Sequence, residues 1–208
     1  ASTGASDELV SWGGLSYVSD AAALTEALKN GGTVVLSQDV VAEAATTAPY
    51  GNKYAFKLDG GILDGNGHEL YMECNGDHYG VMTSGGTVKN LTIKEGCRAI
   101  MIMYPTEDII LEKVNIGGDG VLYPINTGEA GAKGIKLVVT DSTLAGWVSF
   151  SNIASASFTN VKFEHGTYYN NIYGRVLKPY VNTTITDCSF IAHMNLDLSK
   201  LATGHKIT

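Results

Sequence analysis

Positive charge is scarce in this chain. Of its 208 residues, 14 are lysine or arginine against 21 acids, the net charge is −7, and the arginines are Arg98 and Arg175 alone. Nucleic acid and anionic membrane both require clustered positive charge, so neither is an expected partner. Long apolar runs are missing too: nothing approaches the roughly 18–20 residues of a membrane-spanning helix, so no transmembrane segment is expected. Cysteine is limited to Cys74, Cys97 and Cys188. Their odd number and wide spacing fit no zinc or redox motif, and they read as small buried hydrophobes. If two of them pair, Cys74 and Cys97 are the better placed. Charged residues make up only 17% of the chain while 44% is hydrophobic, which describes a packed protein and not a disordered one. The length suits one sizeable core. The small, polar start, ASTGASDEL, fits a chain whose export signal has been removed, or a trimmed one.

What the sequence does have is glycine, 25 residues of it, and a repeat. The stretches VKNLTIKEG from Val88, FTNVKFEHG from Phe158 and ITDCSFIAH from Ile185 share an apolar–Asn/Asp–apolar pattern. The same pattern marks segments 31–38, 60–67, 86–93, 109–116, 137–144, 156–163 and 182–190. Their final apolar residues Ile93, Ile116, Leu144, Phe163 and Phe190 lie 23, 28, 19 and 27 residues apart. A second set, starting at Tyr54, Tyr79, Ala99, Val121, Trp147 and Asn171, interleaves at intervals of 25, 20, 22, 26 and 24. Each segment is short, rich in Val, Ile, Thr, Phe and Tyr, alternates with period two, and is punctuated by Gly, Asn and Asp. A strand-rich repeat of this length with no helix inside it predicts an all-β, parallel β-helix solenoid of about seven coils, in which each coil buries its inward side chains only by stacking on its neighbours. An antiparallel sandwich would instead join neighbouring strands by hairpins and leave the common period unexplained. The Asn and Asp residues at 90, 141, 160 and 187 fall at matching turn or strand-end positions and predict a stacked polar ladder.

One helix is predicted at 19–30, from SDAAALTEALKN. Ser19 or Asp20 can cap it, Ala21, Leu24 and Leu28 share a face, and Asn30-Gly31 provides a left-handed exit. A solenoid end exposes core and unpaired strand edge, so a helix just before the first coil is placed to cover it. The domain reading is therefore a single unit, 1–208: capping helix 19–30, coils 31–198 and C-terminal tail 199–208.

DAAALTEALKNGGTVVLSQDV, followed by GGILDGNGHEL and GTVKNLTI, resembles the N-terminal helix and early coils of secreted bacterial pectin-lyase-like proteins. SFTNVKFEHG and RVLKPYVNTTITDCSF resemble later coils of that group. The resemblance implies a right-handed parallel β-helix, secreted or at the bacterial cell surface. It does not imply one activity, because such folds carry lyases, hydrolases, esterases, adhesins and inert scaffolds. A lyase of this fold uses clustered acids to hold calcium and an arginine as base. Here Arg175 sits in GRVLKP, one residue out of an Arg-x-x-Pro spacing, and no three acids stack. A polygalacturonase needs close aspartates, and no Asp-Asp pair occurs.

The repeat register places Glu95, Asp119, Trp147, His165 and His193 along one edge, with Glu164 beside it. Such a row could hold a sugar on Trp147 or a metal on His165, His193 and Glu164. Insertions leave the register loose by a residue or two, so these read first as solvated turn residues and no metal site is assigned. A second candidate is HGTYYNNIYGRVLKPY: Tyr168, Tyr169, Tyr173 and Tyr180 around Arg175 and Lys178, where rings would stack on sugars and the cations would meet uronate or sulfate. The expected function is a non-catalytic polysaccharide-binding or adhesive module without a cofactor. The alternative is a lyase or glycoside hydrolase acting on an acidic polysaccharide through Arg175, His165 and Glu164, with calcium if it is a lyase. AIMIMYP, 99–105, reads as a buried strand ending in a turn, without chemistry.

Overall fold

The computed structural model describes residues 10–12, 14–48, 51–73, 78–94, 98–117, 121–164, 166, 175–191, 195–196 and 198–208, with the backbone alone for 10–12, 175–179 and 195–196. The described chain is mostly strand, joined in one 18-stranded sheet, with the single α-helix Ala21–Asn30. Nearly every pairing is parallel. The exceptions are Val10–Trp12 on Leu15–Val18 and Thr46–Thr47 on residues 53–54. That pattern is consistent with an all-β parallel solenoid and inconsistent with a hairpin sandwich.

The pairings resolve into three ladders, visited in a fixed order on each pass of the chain. On the first face, Val34, Leu63, Val88, Leu111, Val139, Phe158 and Ile185 stand in register. The second carries Leu70, Ile93, Ile116, Leu144, Phe163 and Phe190. Phe56, Val81, Ile100, Ile125, Val148 and Leu177 line up on the third. The alignment on Ile93, Ile116, Leu144, Phe163 and Phe190 read from the sequence is thus the true register. Its first set of segments, however, is two faces and not one. Within each segment the chain bends at one left-handed residue: Asn90 (φ 49°), Lys113 (52°), Asp141 (51°), Asn160 (53°) and Asp187 (53°). The repeated Asn and Asp are corner residues, chosen because a short polar side chain tolerates that backbone region.

The three inward rows form one core. All of Leu63, Leu70, Ile93, Leu111, Ile116, Val139, Leu144 and Phe163 have no solvent exposure, and burying each contributes about 1.5–3 kcal/mol. Phe150, Phe158, Phe163 and Phe190 form a run of ring contacts through that core. The run ends at Phe190, which lies flat on Phe163 with centroids 4.8 Å apart and is still 42% exposed.

The helix starts at Asp20 rather than Ser19: Asp20 Oδ1 accepts from the Ala23 amide at 2.8 Å. It buries Leu24, Ala27 and Leu28 into the same core as Val34 and Leu63, and leaves through Gly31 at φ 69°. At the other end the tail folds back. Thr183 bridges to Ile207 in parallel, and the Ile185 amide donates to the Thr208 carbonyl at 2.8 Å, so residues 206–208 extend the first face by one more rung. Cys188 is a free thiol, half-buried, donating to the Phe158 carbonyl; Cys74 and Cys97 lie outside the described residues.

The corner between third and first faces needs glycine. Gly61 (φ 76°) and Gly86 (φ 102°) stack so closely that a Cβ would fall 2.5 Å from the Gly32 carbonyl oxygen in one case and 2.7 Å from that of Gly61 in the other. No L-residue fits there without moving the rung below.

Candidate functional site

The outer surface of the third face is where side chains with chemistry collect. Alternation along KYAFKLD turns Phe56 and Leu58 into the core, buried, and leaves Lys57 and Asp59 exposed. The Lys57 ammonium meets Asp59 Oδ2 at 2.5 Å, and the Ser84 hydroxyl, one pass on, donates to Asp59 Oδ1 at 2.8 Å. The next outward positions are apolar. Met82 pairs with Lys57, and Met101 pairs with Met82. With Met103, Ala48 and Tyr79, and Tyr54 packed beside them, they form a small hydrophobic cluster separate from the main core. Gly128 makes room for it, since a Cβ there would sit 2.1 Å from the Met103 sulfur.

Two hollows open over this surface. One, about 420 Å³, is lined by Tyr54, Lys57, Asp59, Ser84, Met103 and Tyr104, among others. Its neighbour, about 570 Å³, runs toward the C-terminal end of the helix and includes Thr25, Asn30 and Thr46. Both are lined by Tyr54, Lys57 and Asp59, so they adjoin at these side chains and together make up a groove. Tyr104 stands at its edge with 44% of its surface exposed and a left-handed backbone, φ 48°. A bulky residue there costs roughly 1–3 kcal/mol, and such strain concentrates at binding and catalytic positions. Glu107 follows on the same loop: a Cβ on Gly60 would fall 2.6 Å from its carboxylate oxygen.

Further along the third face lies an aromatic stack. Arg98 sits 4.5 Å above the Tyr123 ring and donates to Asn126 Oδ1; on the next pass Trp147 stacks on Tyr123, with centroids 5.2 Å apart and planes 7° from parallel. Trp147 lies at the turn between second and third faces, and Tyr123 already covers one of its ring faces, which a sugar therefore cannot use. Glu164 reaches the same corner, its carbonyl accepting from the Gly146 amide at 2.9 Å, and its carboxylate is paired with Lys162. Arg175 and Lys178 lie on the third-face strand Arg175–Pro179, with Lys178 in register with Ser149; their side chains lie outside the description. So do Glu95, Asp119, His165, His193, Tyr168, Tyr169 and Tyr173. Tyr180 is half-buried and packed against the main core. Among the described residues no group of three His, Cys, Asp or Glu is arranged to hold a metal, and no helix is long and apolar enough to cross a membrane.

The polar ladder is partly realised at the corner between first and second faces. Asn90 Nδ2 donates to Asp64 at 3.1 Å and Asn160 Nδ2 to Asp141 at 2.7 Å. Burial pushes the Asp64 carboxyl up, but hydrogen bonds from the Asn66 amide and Asn90, together with Lys89, outweigh it and hold the pKa below the ordinary value. Asp39 is lowered too, chiefly by the Glu69 amide it accepts from at 2.9 Å, with His68 beside it.

Sequence reasoning missed the groove. The signal was present in the methionines at alternate positions of AIMIMYP, which put apolar side chains on an outward surface where something must pack. Comparison with protein-family models, with curated proteins and with solved structures gives no match.

Proposed function

We propose that this protein is a right-handed parallel β-helix of about seven coils, related to the secreted bacterial pectin-lyase-like proteins it resembles, and that it is a non-catalytic polysaccharide-binding or adhesive module. In this reading it is secreted or displayed at the bacterial cell surface, binds no nucleic acid and needs no cofactor. Helix Ala21–Asn30 covers the first coil, a role supported by its burial of Leu24, Ala27 and Leu28 against core side chains of the first face.

The observation that carries the functional reading is the groove: two adjoining hollows on a regular, repeating surface, with Tyr54 and the strained, exposed Tyr104 among their lining, together with hydroxyl side chains. Its size falls within the usual range for ligand sites. An aromatic ring offers a flat apolar face to the C–H side of a sugar, while Ser84, Thr46 and the Lys57–Asp59 pair offer donors and acceptors to its hydroxyls. The alternative of a lyase or hydrolase for acidic polysaccharide rests on Arg175, His165 and Glu164. Of these, Glu164 alone has a described side chain, and its ion pair with Lys162 leaves it engaged instead of poised as a base.

A glycan array with and without calcium, followed by ultraviolet detection of unsaturated product on any binder, tests this. Binding without product is expected. Product formation overturns the non-catalytic reading and turns attention to Arg175, His165 and Glu164.

A further inference from the structure

We propose that the groove selects uncharged polysaccharide over uronate-containing or sulfated chains. This rests on the polysaccharide-binding reading and goes beyond it by naming the ligand class. The argument is a charge count at short range. Among the described residues the groove is lined by two lysines, Lys57 and Lys29. Lys57 is committed to Asp59 at 2.5 Å, and Lys29 to Glu26 at 2.9 Å. Asp59 has one oxygen on Lys57 and the other on Ser84, and each oxygen keeps a lone pair for a further donor. Glu107 adds a further negative charge next to Gly60. Among the described residues no arginine lines the groove, so they supply none of the planar forks that best recognise carboxylate and sulfate.

A polyanion would therefore meet lysines whose charge a neighbouring carboxylate already offsets, beside Glu107, uncompensated among the described residues, and on a chain of net charge −7. A neutral sugar meets neither repulsion. Its hydroxyls can donate to Asp59 and accept from Lys57 without separating them, and can share the hydroxyls of Ser84, Thr46 and Tyr54. Rings and methionines supply the apolar contact, which salt does not weaken.

Affinity electrophoresis tests this on the full chain, in gels cast with neutral polymers (cellulose derivatives, xylan, galactomannan, β-glucan) or acidic ones (polygalacturonate, alginate, chondroitin sulfate), each at low salt and at about 0.5 M salt, where the screening length falls to a few ångströms. The expected result is retardation by at least one neutral polymer, unchanged by salt, and none by the acidic set. Asp59→Asn, which frees Lys57, is expected to gain several-fold retardation by polygalacturonate at low salt and to lose it at high salt. Wild-type retardation by an acidic polymer that salt abolishes overturns the selectivity while leaving polysaccharide binding standing. Equal mobility in every gel removes the binding reading and the selectivity together.

Discussion

Among the described left-handed corner residues between first and second faces, Lys113 alone is neither Asn nor Asp, yet its φ of 52° matches Asn90 at 49° and Asn160 at 53°. Replacing it with asparagine should stabilise the protein. An ordinary L-residue in that region costs about 1–2 kcal/mol, and asparagine is among the few that visit it readily. Recovering about 1 kcal/mol of this is expected from the backbone alone. The new amide would also stand one rung from Asn90, in the relation Asn160 bears to Asp141, where the bond is 2.7 Å; such a bond is worth about 0.5–1.5 kcal/mol net. Against this, Lys113 gives up a contact with Glu112 at 3.9 Å between side chains 60% and 44% exposed, which contributes close to nothing after solvent screening. The sum is a gain of about 1.5–2.5 kcal/mol, and for a domain of this size each kcal/mol moves Tm by roughly 2–4 °C. Urea unfolding should show a raised midpoint with unchanged slope. Lys113→Gly isolates the backbone share, and Lys113→Ala, which keeps the strain, should be near neutral. A midpoint for Lys113→Asn at or below wild type would refute the corner argument.

Position within the aromatic run should decide the cost of truncation: Phe163→Ala, in the unexposed core, should cost about 3–5 kcal/mol, and Phe190→Ala, at the open end and 42% exposed, about 1 kcal/mol, both read from urea midpoints. Tyr104→Gly should hold or raise stability, because glycine accepts φ 48° without strain, while abolishing glycan binding; a loss above about 1 kcal/mol would assign the ring to the fold instead. The Asp64 pKa lies below its unfolded value near 3.8, so the stability it contributes is present above that pH and lost as the pH falls through the folded value. Asp64→Asn should therefore be less stable than wild type at neutral pH, and the gap in urea midpoint should close below pH 3.8; a gap constant with pH would refute the linkage.

Much of the fold was legible because a solenoid writes its register into sequence. Ile93, Ile116, Leu144, Phe163 and Phe190 recur where they do because each must fill the same place one coil later. The corner at Asn90 was less legible, since a single left-handed residue interrupts alternation so briefly that 88–93 reads as one segment, although it contributes to two faces. Asp20 and Ser19 could not be separated as caps from composition alone. The groove was hidden for another reason: Lys57 and Asp59 look like a solvated pair on an alternating strand, and nothing local to Tyr104 announces that a loop carries it over the methionines of the third face. The stack of Arg98, Tyr123 and Trp147 joins residues on three successive passes, a distance along the chain that motif reading does not span.

The most direct test of the central claim is a glycan array of wild type and Tyr104→Ala side by side, with far-ultraviolet circular dichroism recorded for both. The account predicts binding by the wild type, loss of that binding in the variant and identical spectra. A wild type that binds no glycan, or a variant that binds as well as the wild type, would contradict it.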